Sequence, residues 1–275
     1  MKHTYASPPH IRMDLRPTAR ELSWFAQIDR HGPQSSEFLF EATSETHRCK
    51  DTALRRMQAL REAGYLRLPP QQRQIAKADF NPYVYDLTKL GWDFLSDHKD
   101  LEKHCRPTGH WWHGYWVSAV SSAVEINSNR AGLTYIPAAQ ILAIKGVEIA
   151  IPVSDTKLIP DQLFAIKYSD GYRAFVLEVD RGTEPFQSSA ARKSLVRSIA
   201  TYRRMLGEKA YQSHYGLKSK MGVLWIFSST RRHQHFKNLL SSSDRSFKTE
   251  VLEIRFPVYS ELSRSMRKLA LMHQY

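Results

Sequence analysis

The sequence predicts an α+β protein in two domains, and three observations predict it. Apolar residues recur at helical spacing in some stretches and in short strand-like runs in others. An Asp170-Gly171 pair lies between two apolar runs, a strong hairpin signal. The chain has 275 residues, 42% hydrophobic and 11% aromatic, enough for a sizeable core. Gly and Pro together number 25, about a tenth, which excludes collagen-like or broadly low-complexity sequence. The expected order is a loose arm over 1–16, a first domain over 17–100, a second over 101–256, and a tail or helix over 257–275.

In the first domain Pro17 opens a helical pattern in which Leu22, Phe25, Ala26 and Ile28 fall near one face, and His31-Gly32-Pro33 stops it. A short helix follows around Glu37–Ala42. Ser44 or Thr46 is expected to cap a third helix, with Leu54, Met57 and Leu60 recurring every three residues, and Gly64 ends it. Tyr65–Leu68 and Tyr83–Leu87 read as short strands, and Thr88 as the cap of a closing helix through Leu95. Three short helices followed by a two-stranded ribbon is the order of a winged helix. The strings ALRRMQALREAGYLRL and YVYDLTKLGWDFL resemble the winged-helix DNA-binding family, through the Leu-x-x-x-Gly-Tyr-Leu step and the Leu-Thr-x-x-Gly ending. That resemblance implies a third helix entering the major groove by its N-terminal end, with His47, Arg48, Lys50 and Arg55 as DNA contacts. The competing reading is a set of solvated helix charges on a module that binds protein.

Charge supports a polyanionic partner. Lys plus Arg outnumber Asp plus Glu by 40 to 27, a formal net charge of +13 with a pI near 9.7. Residues 1–100 contribute only +2 of this and residues 101–275 contribute +11. Such a field draws in phosphate backbones without reading their sequence. Cys49 and Cys105 are the only cysteines and make no zinc spacing. No apolar run is long enough to span a membrane, and Met1–Arg16 has Pro8-Pro9 and charges where a signal peptide needs an apolar stretch. The expectation is therefore a reduced, cytoplasmic protein without membrane insertion.

The second domain opens with a helix over 111–127 whose stripe is Val117, Val120 and Val124; Glu125 lies near Ser118, away from that stripe. Residues 133–144 and 147–153 are short and mixed. Then KLIPDQLFAIKY (157–168) turns at Ser169-Asp170-Gly171 into YRAFVLEVDRGTEPF (172–186). Pairing about that turn sets Asp161 almost opposite Glu178, and Glu178 shares a strand face with Asp180. Three carboxylates in an apolar hairpin are costly unless a cation sits among them, and a hard divalent ion with oxygen ligands fits. Otherwise the acids are solvated at an edge, or paired with Arg181 or Lys167.

A basic helix is expected over 189–206, with Leu195, Ile199, Tyr202 and Leu206 near one face. A buried strand follows at Met221–Ser228, and Arg231-Arg232-His233 begin another basic helix. Plain packing is the stronger expectation for Tyr202 over a nucleophile, for His110 and His113 over metal ligands, and for Tyr115 and Trp116 over platforms for unpaired bases.

The order of helix with Glu, strand with Pro160-Asp161, strand with Glu178-Val179-Asp180, then basic helix resembles the PD-(D/E)xK nuclease superfamily, whose core is α-β-β-β-α-β. With LEVDRGTEPF, IPDQLF and the basic helix, it looks like the replication-relaxation family, which includes MobC-type plasmid mobilisation proteins; the likeness covers about residues 17–230. The resemblance implies a winged helix followed by a restriction-endonuclease-like α/β core, and a metal-dependent nick at a plasmid or mobile-element origin of transfer. Asp161, Glu178 and Glu125 would hold Mg²⁺ or Mn²⁺. Asp161, Glu178, Asp180 and Lys193 would form the catalytic set. Arg192 and Arg197 would join the DNA contacts. Double-stranded DNA is the implied partner, with single-stranded DNA and other relaxosome or transfer proteins besides. One departure stands out: Asp180 occupies the place of the superfamily's Lys, whose role Lys193 or Arg197 would have to take, Arg181 pointing to the opposite strand face. If none substitutes, the chain is a DNA-binding scaffold or regulator. A double-strand endonuclease of a defence or phage system is the remaining alternative.

Overall fold

Three hydrophobic clusters organise the computed structural model, which describes residues 14–46, 49–71, 82–102, 110–183, 185–188, 194–254 and 256–270. The first cluster belongs to the N-terminal segment. Helix α1 (Ala19–His31) starts with the Glu21 carboxylate accepting the Thr18 N–H at 2.7 Å, and ends at Gly32, whose φ of 97° suits a residue without Cβ. It buries Trp24, Phe25 and Ile28. Strand β1 (Gln34–Ser35) leads into α2 (Ser36–Ala42), followed by α3 (Lys50–Glu62), β2 (Leu66–Arg67), β3 (Val84–Leu87) and α4 (Lys89–Ser96). The three strands form an antiparallel sheet in the order β1-β3-β2, and the sequence did not reveal β1.

Two local expectations need correction or explanation. Neither Ser44 nor Thr46 caps α3: their hydroxyls donate back to the Glu41 and Thr43 carbonyls, and it is Cys49 that stands at the N-cap position. The Leu-Thr-x-x-Gly ending has a steric cause. The Thr88 hydroxyl accepts the Gly91 N–H at 3.1 Å, and a Cβ on Gly91 would run into the Tyr65 carbonyl.

The second segment begins with α5 (Trp111–Arg130), then β4 (Thr134–Pro137), α6 (Ala138–Ala143), the small hairpin β5 (Ile151–Val153) and β6 (Thr156–Leu158), and β7 (Gln162–Tyr168) and β8 (Gly171–Asp180). Then follow α7 (Leu195–Gly207), α8 (Ala210–Tyr215), β9 (Met221–Phe227), α9 (Thr230–Leu239), β10 (Phe247–Val251) and α10 (Tyr259–Ala270). Five strands make one sheet in the order β10-β9-β8-β7-β4. The β4, β7 and β8 strands are antiparallel, and β8, β9 and β10 run parallel.

Alternation along these strands sorts side chains between two helical layers. Phe164, Ile166, Phe175, Leu177, Val179, Leu224 and Ile226 face α5 and α10. Leu163, Ala165, Ala174, Val176, Val223, Trp225 and Phe227 face α6 to α9. The C-terminal stretch is a helix that docks into the first of these cores through Tyr259, Leu262 and Met266.

Helix α5 departs from the one-sided stripe its valines suggest. Every residue from Tyr115 to Ser128 is buried. Val117, Val120 and Val124 pack in the cluster beneath the sheet, while Ser118, Ser121, Ser122 and Glu125 meet α1 and the segment after it. Gln27 donates to the Ser122 hydroxyl at 2.9 Å, Gln34 to Ser118 Oγ at 2.6 Å, and Ser118 in turn to the Pro33 carbonyl at 2.8 Å. The polar stripe is thus a seam rather than a solvent face, and most of its polar groups are partnered as burial demands, the buried Gln34 Oε1 being an exception.

Candidate functional site

The β7–β8 ladder runs from Tyr168↔Gly171 to Gln162↔Leu177. Continued by one residue, it sets Asp161, just ahead of β7, opposite Glu178, and the Asp161 N–H donates to the Leu177 carbonyl at 3.1 Å. Glu178 and Asp180 continue the row of Ala174 and Val176, so both face the α7–α9 layer. Asp161, Glu178 and Asp180 lie where β8 ends beside β9, at the carboxyl ends of parallel strands, where open α/β sheets place ligands.

All three are largely buried, with exposures of 9% for Asp161, 4% for Glu178 and 8% for Asp180. An ionised carboxylate at such depth needs donors. Asp161 Oδ2 accepts the Val179 N–H at 2.8 Å, and Oδ1 lies 2.9 Å from His113 Nε2 in the first turn of α5. Glu178 Oε1 accepts the Tyr202 hydroxyl from α7. Asp180 is gripped bidentately by Arg232 of α9, at 2.7 and 2.6 Å, and its Oδ1 also accepts the Gly182 N–H at 2.6 Å. The ion pair foreseen with Arg181 or Lys167 is therefore made by Arg232 instead.

Tyr202 is fully buried. Burial, reinforced by the charges of Glu178 and Asp161, pushes its phenol well above the ordinary range, so it remains a proton donor to Glu178. That placement is incompatible with a solvent-facing nucleophile. Tyr115 and Trp116 are likewise core residues, at 1% and 3% exposure, and present no ring face to a base.

Glu125 is not part of this group. It lies twelve residues beyond His113 on α5, about 18 Å along the axis. Its carboxylate bonds to Arg30 and to the fully buried ring of His31, both from α1. Burial works against its ionisation, but His31 and Arg30 outweigh it and hold the carboxyl below the usual range. Arg30 also binds Glu102, at 2.6 and 3.0 Å, which ties the N-terminal segment to the start of the second. The expected ligand set of Asp161, Glu178 and Glu125 therefore does not assemble. Among the described residues, no group of three or more His, Cys, Asp or Glu side chains is placed to hold a metal ion.

Of the expected DNA contacts, Lys50 opens α3 and Arg55 lies in its second turn, both exposed, and Arg197 is exposed on α7. His47, Arg48, Arg192 and Lys193 lie outside the described residues. Sequence reasoning gave no site role to Arg232 and read His113 and Tyr202 for other ones. Parallel pairing of β8 with β9 is the signal that finds Arg232: Asp180 pairs with Phe227, so the first turn of the helix after β9 lands beside it.

The profile of a family described as replication-relaxation matches residues 25–221. No curated protein and no solved structure matches the chain. No helix among the described residues is long and apolar enough to cross a membrane.

Proposed function

As the chain belongs to the replication-relaxation family, which suggests a role in plasmid replication or mobilisation, we propose that it is a MobC-type DNA-processing protein that nicks one strand at an origin of transfer. In this reading the N-terminal segment is a winged helix that grips duplex DNA through α3, and the second is a PD-(D/E)xK-like core. The order α5, β4, β7, β8, α7, β9 supports that core, with Pro160-Asp161 entering β7 and Glu178-Val179-Asp180 ending β8. The cross-strand apposition of Asp161 and Glu178 at the strand ends is the observation on which the reading rests. Double-stranded DNA, the single strand freed beside the nick and other relaxosome proteins are its partners, in the cytoplasm.

Asp161 and Glu178 would hold Mg²⁺ or Mn²⁺. Two carboxylates suit Mg²⁺, which is bound by one or two such groups and completes its shell with water and phosphate oxygens; they do not make an all-protein cage. When bound, the ion polarises the phosphodiester and lowers the pKa of water. The chain's own groups position these acids. The Val179 N–H and His113 fix Asp161, and Tyr202 fixes Glu178.

Incubating a supercoiled plasmid bearing the element's transfer origin with the protein tests the proposal. Nicked circle in Mg²⁺, abolished by EDTA, is the expected product. Linear product would make the chain a double-strand endonuclease. Unchanged plasmid with retained binding would make it a scaffold or regulator, a reading favoured by the acid at the motif's lysine position and by the protein donors already on Asp161, Glu178 and Asp180.

A further inference from the structure

The acid at the lysine position has a structural counterpart. Asp180 draws the Arg232 guanidinium into its plane through Nε and Nη2. The Arg232 Cζ lies 4.5 Å from the centroid of the Phe186 ring, over its face. Phe186 is itself fixed, because its carbonyl and that of Pro185 accept the Val196 and Leu195 N–H groups that open α7. Gly182, at φ 81°, turns the chain back so that its N–H meets Asp180 Oδ1. Asp180, Gly182 and Phe186 therefore build a holder for one guanidinium, whose side chain is only 12% exposed. Asp180, which holds that cation, lies two residues along the strand face from Glu178.

We infer that Arg232, held by Asp180 and Phe186, supplies the phosphate-binding positive charge that the motif's lysine would otherwise provide. The inference rests on the nicking reading for its chemistry, but not for the contact itself. A guanidinium has five N–H donors; Asp180 engages Nε and Nη2, and Nη1, which bonds to none of the described residues, is the donor assigned to a phosphate oxygen. In hydrolysis, water adds its oxygen to phosphorus and gives up a proton, one P–O bond to a sugar oxygen breaks, and that oxygen takes up a proton. Charge accumulates on the non-bridging oxygens as this happens, and Arg232 is the group that stabilises it. Arg232 is then the catalytic residue of the pair, and Asp180 and Phe186 are positioning residues. The pairing also accounts for a buried acid at a place where negative charge would repel DNA.

Three variants test this: Arg232→Ala, Asp180→Ala/Arg232→Ala, and Asp180→Lys/Arg232→Ala. The double alanine variant removes both charges, so it leaves no buried unpaired ion to unfold the protein; circular dichroism melting checks this. The first readout is the salt dependence of binding to a fluorescein-labelled duplex cut from the origin-bearing plasmid, in EDTA. Loss of one phosphate contact lowers the slope of log K against log salt by about 0.9, and lysine at position 180 should restore it. The second readout is plasmid nicking, expected to fall about 10²- to 10³-fold in both alanine variants and to recover in part with the lysine. If the wild type never nicks but the slope falls and is restored, the nicking reading fails and the phosphate contact stands. An unchanged slope in the folded double alanine variant overturns the inference, whatever the plasmid assay shows, and leaves the pair as a structural tie.

Discussion

Glu125 and Glu178 are both buried glutamates of the second segment, at 6% and 4% exposure, yet they stand in opposite surroundings. Glu125 projects from the middle of a helix between two packed units, and two cationic or basic side chains of α1 close on it. Glu178 ends a row of core residues on a strand, accepts a phenol hydroxyl from α7, and has Asp161 opposite and Asp180 beside it. In the first place the acid is complemented within the protein, as an interface requires. In the second, three acids line one strand end on the face covered by the layer of helices that carries Arg197 and Arg232. Buried charge marks a fastening in one case and, in the function proposed above, a place for an outside ion and phosphate in the other.

The strongest way to break this contrast is to remove Glu125. Glu125→Ala strands Arg30 and His31 in the seam, and should cost about 3–5 kcal/mol of unfolding free energy by urea titration. Nicking by the folded fraction should be unchanged. Equal loss of activity would place Glu125 in the site after all.

Asp161→Ala and Glu178→Ala should do the reverse. In the function proposed above, each should lower Mg²⁺-dependent nicking about 10²- to 10³-fold while duplex affinity stays within a few-fold, because that reading assigns the duplex to basic residues elsewhere. Wild-type rates in both would remove the acids from the mechanism.

Acid sharpens the comparison with a smaller effect. The Glu125 carboxyl is held below its ordinary value in the folded protein. Its contribution to stability is therefore complete above the unfolded value, about 4.3, and is lost as pH falls through the folded one. Glu125→Gln should flatten that part of the stability profile, measured by thermal melting between neutral and acid pH.

The smallest effect is expected on α3. Lys50→Glu and Arg55→Glu alter exposed side chains, so stability should shift by no more than about 0.5 kcal/mol. If α3 contacts phosphates, each should lower the salt slope of duplex binding by about 0.9. An unchanged slope would take α3 out of the DNA interface.

Local chemistry made much of the architecture legible. Asp170-Gly171 announced the β7–β8 hairpin, and counting outward from it placed Asp161 opposite Glu178, because strand register is a matter of residue number once the turn is known. Alternation put Glu178 and Asp180 on one face for the same reason. Thr88 and Gly91 marked the start of α4 through a cap and a close backbone approach. What the sequence alone could not determine was which surfaces meet. Ser118, Ser121, Ser122 and Glu125 recur at helical spacing, as a solvent face would, and only the docking of α1 turns that stripe into a buried seam. Asp180 and Arg232 are 52 residues apart and meet because β8 and β9 run parallel side by side. Periodicity and turns are set by bonds between near neighbours, whereas a partner for a charge is chosen by how whole elements pack, and that choice is written in no single stretch of the chain.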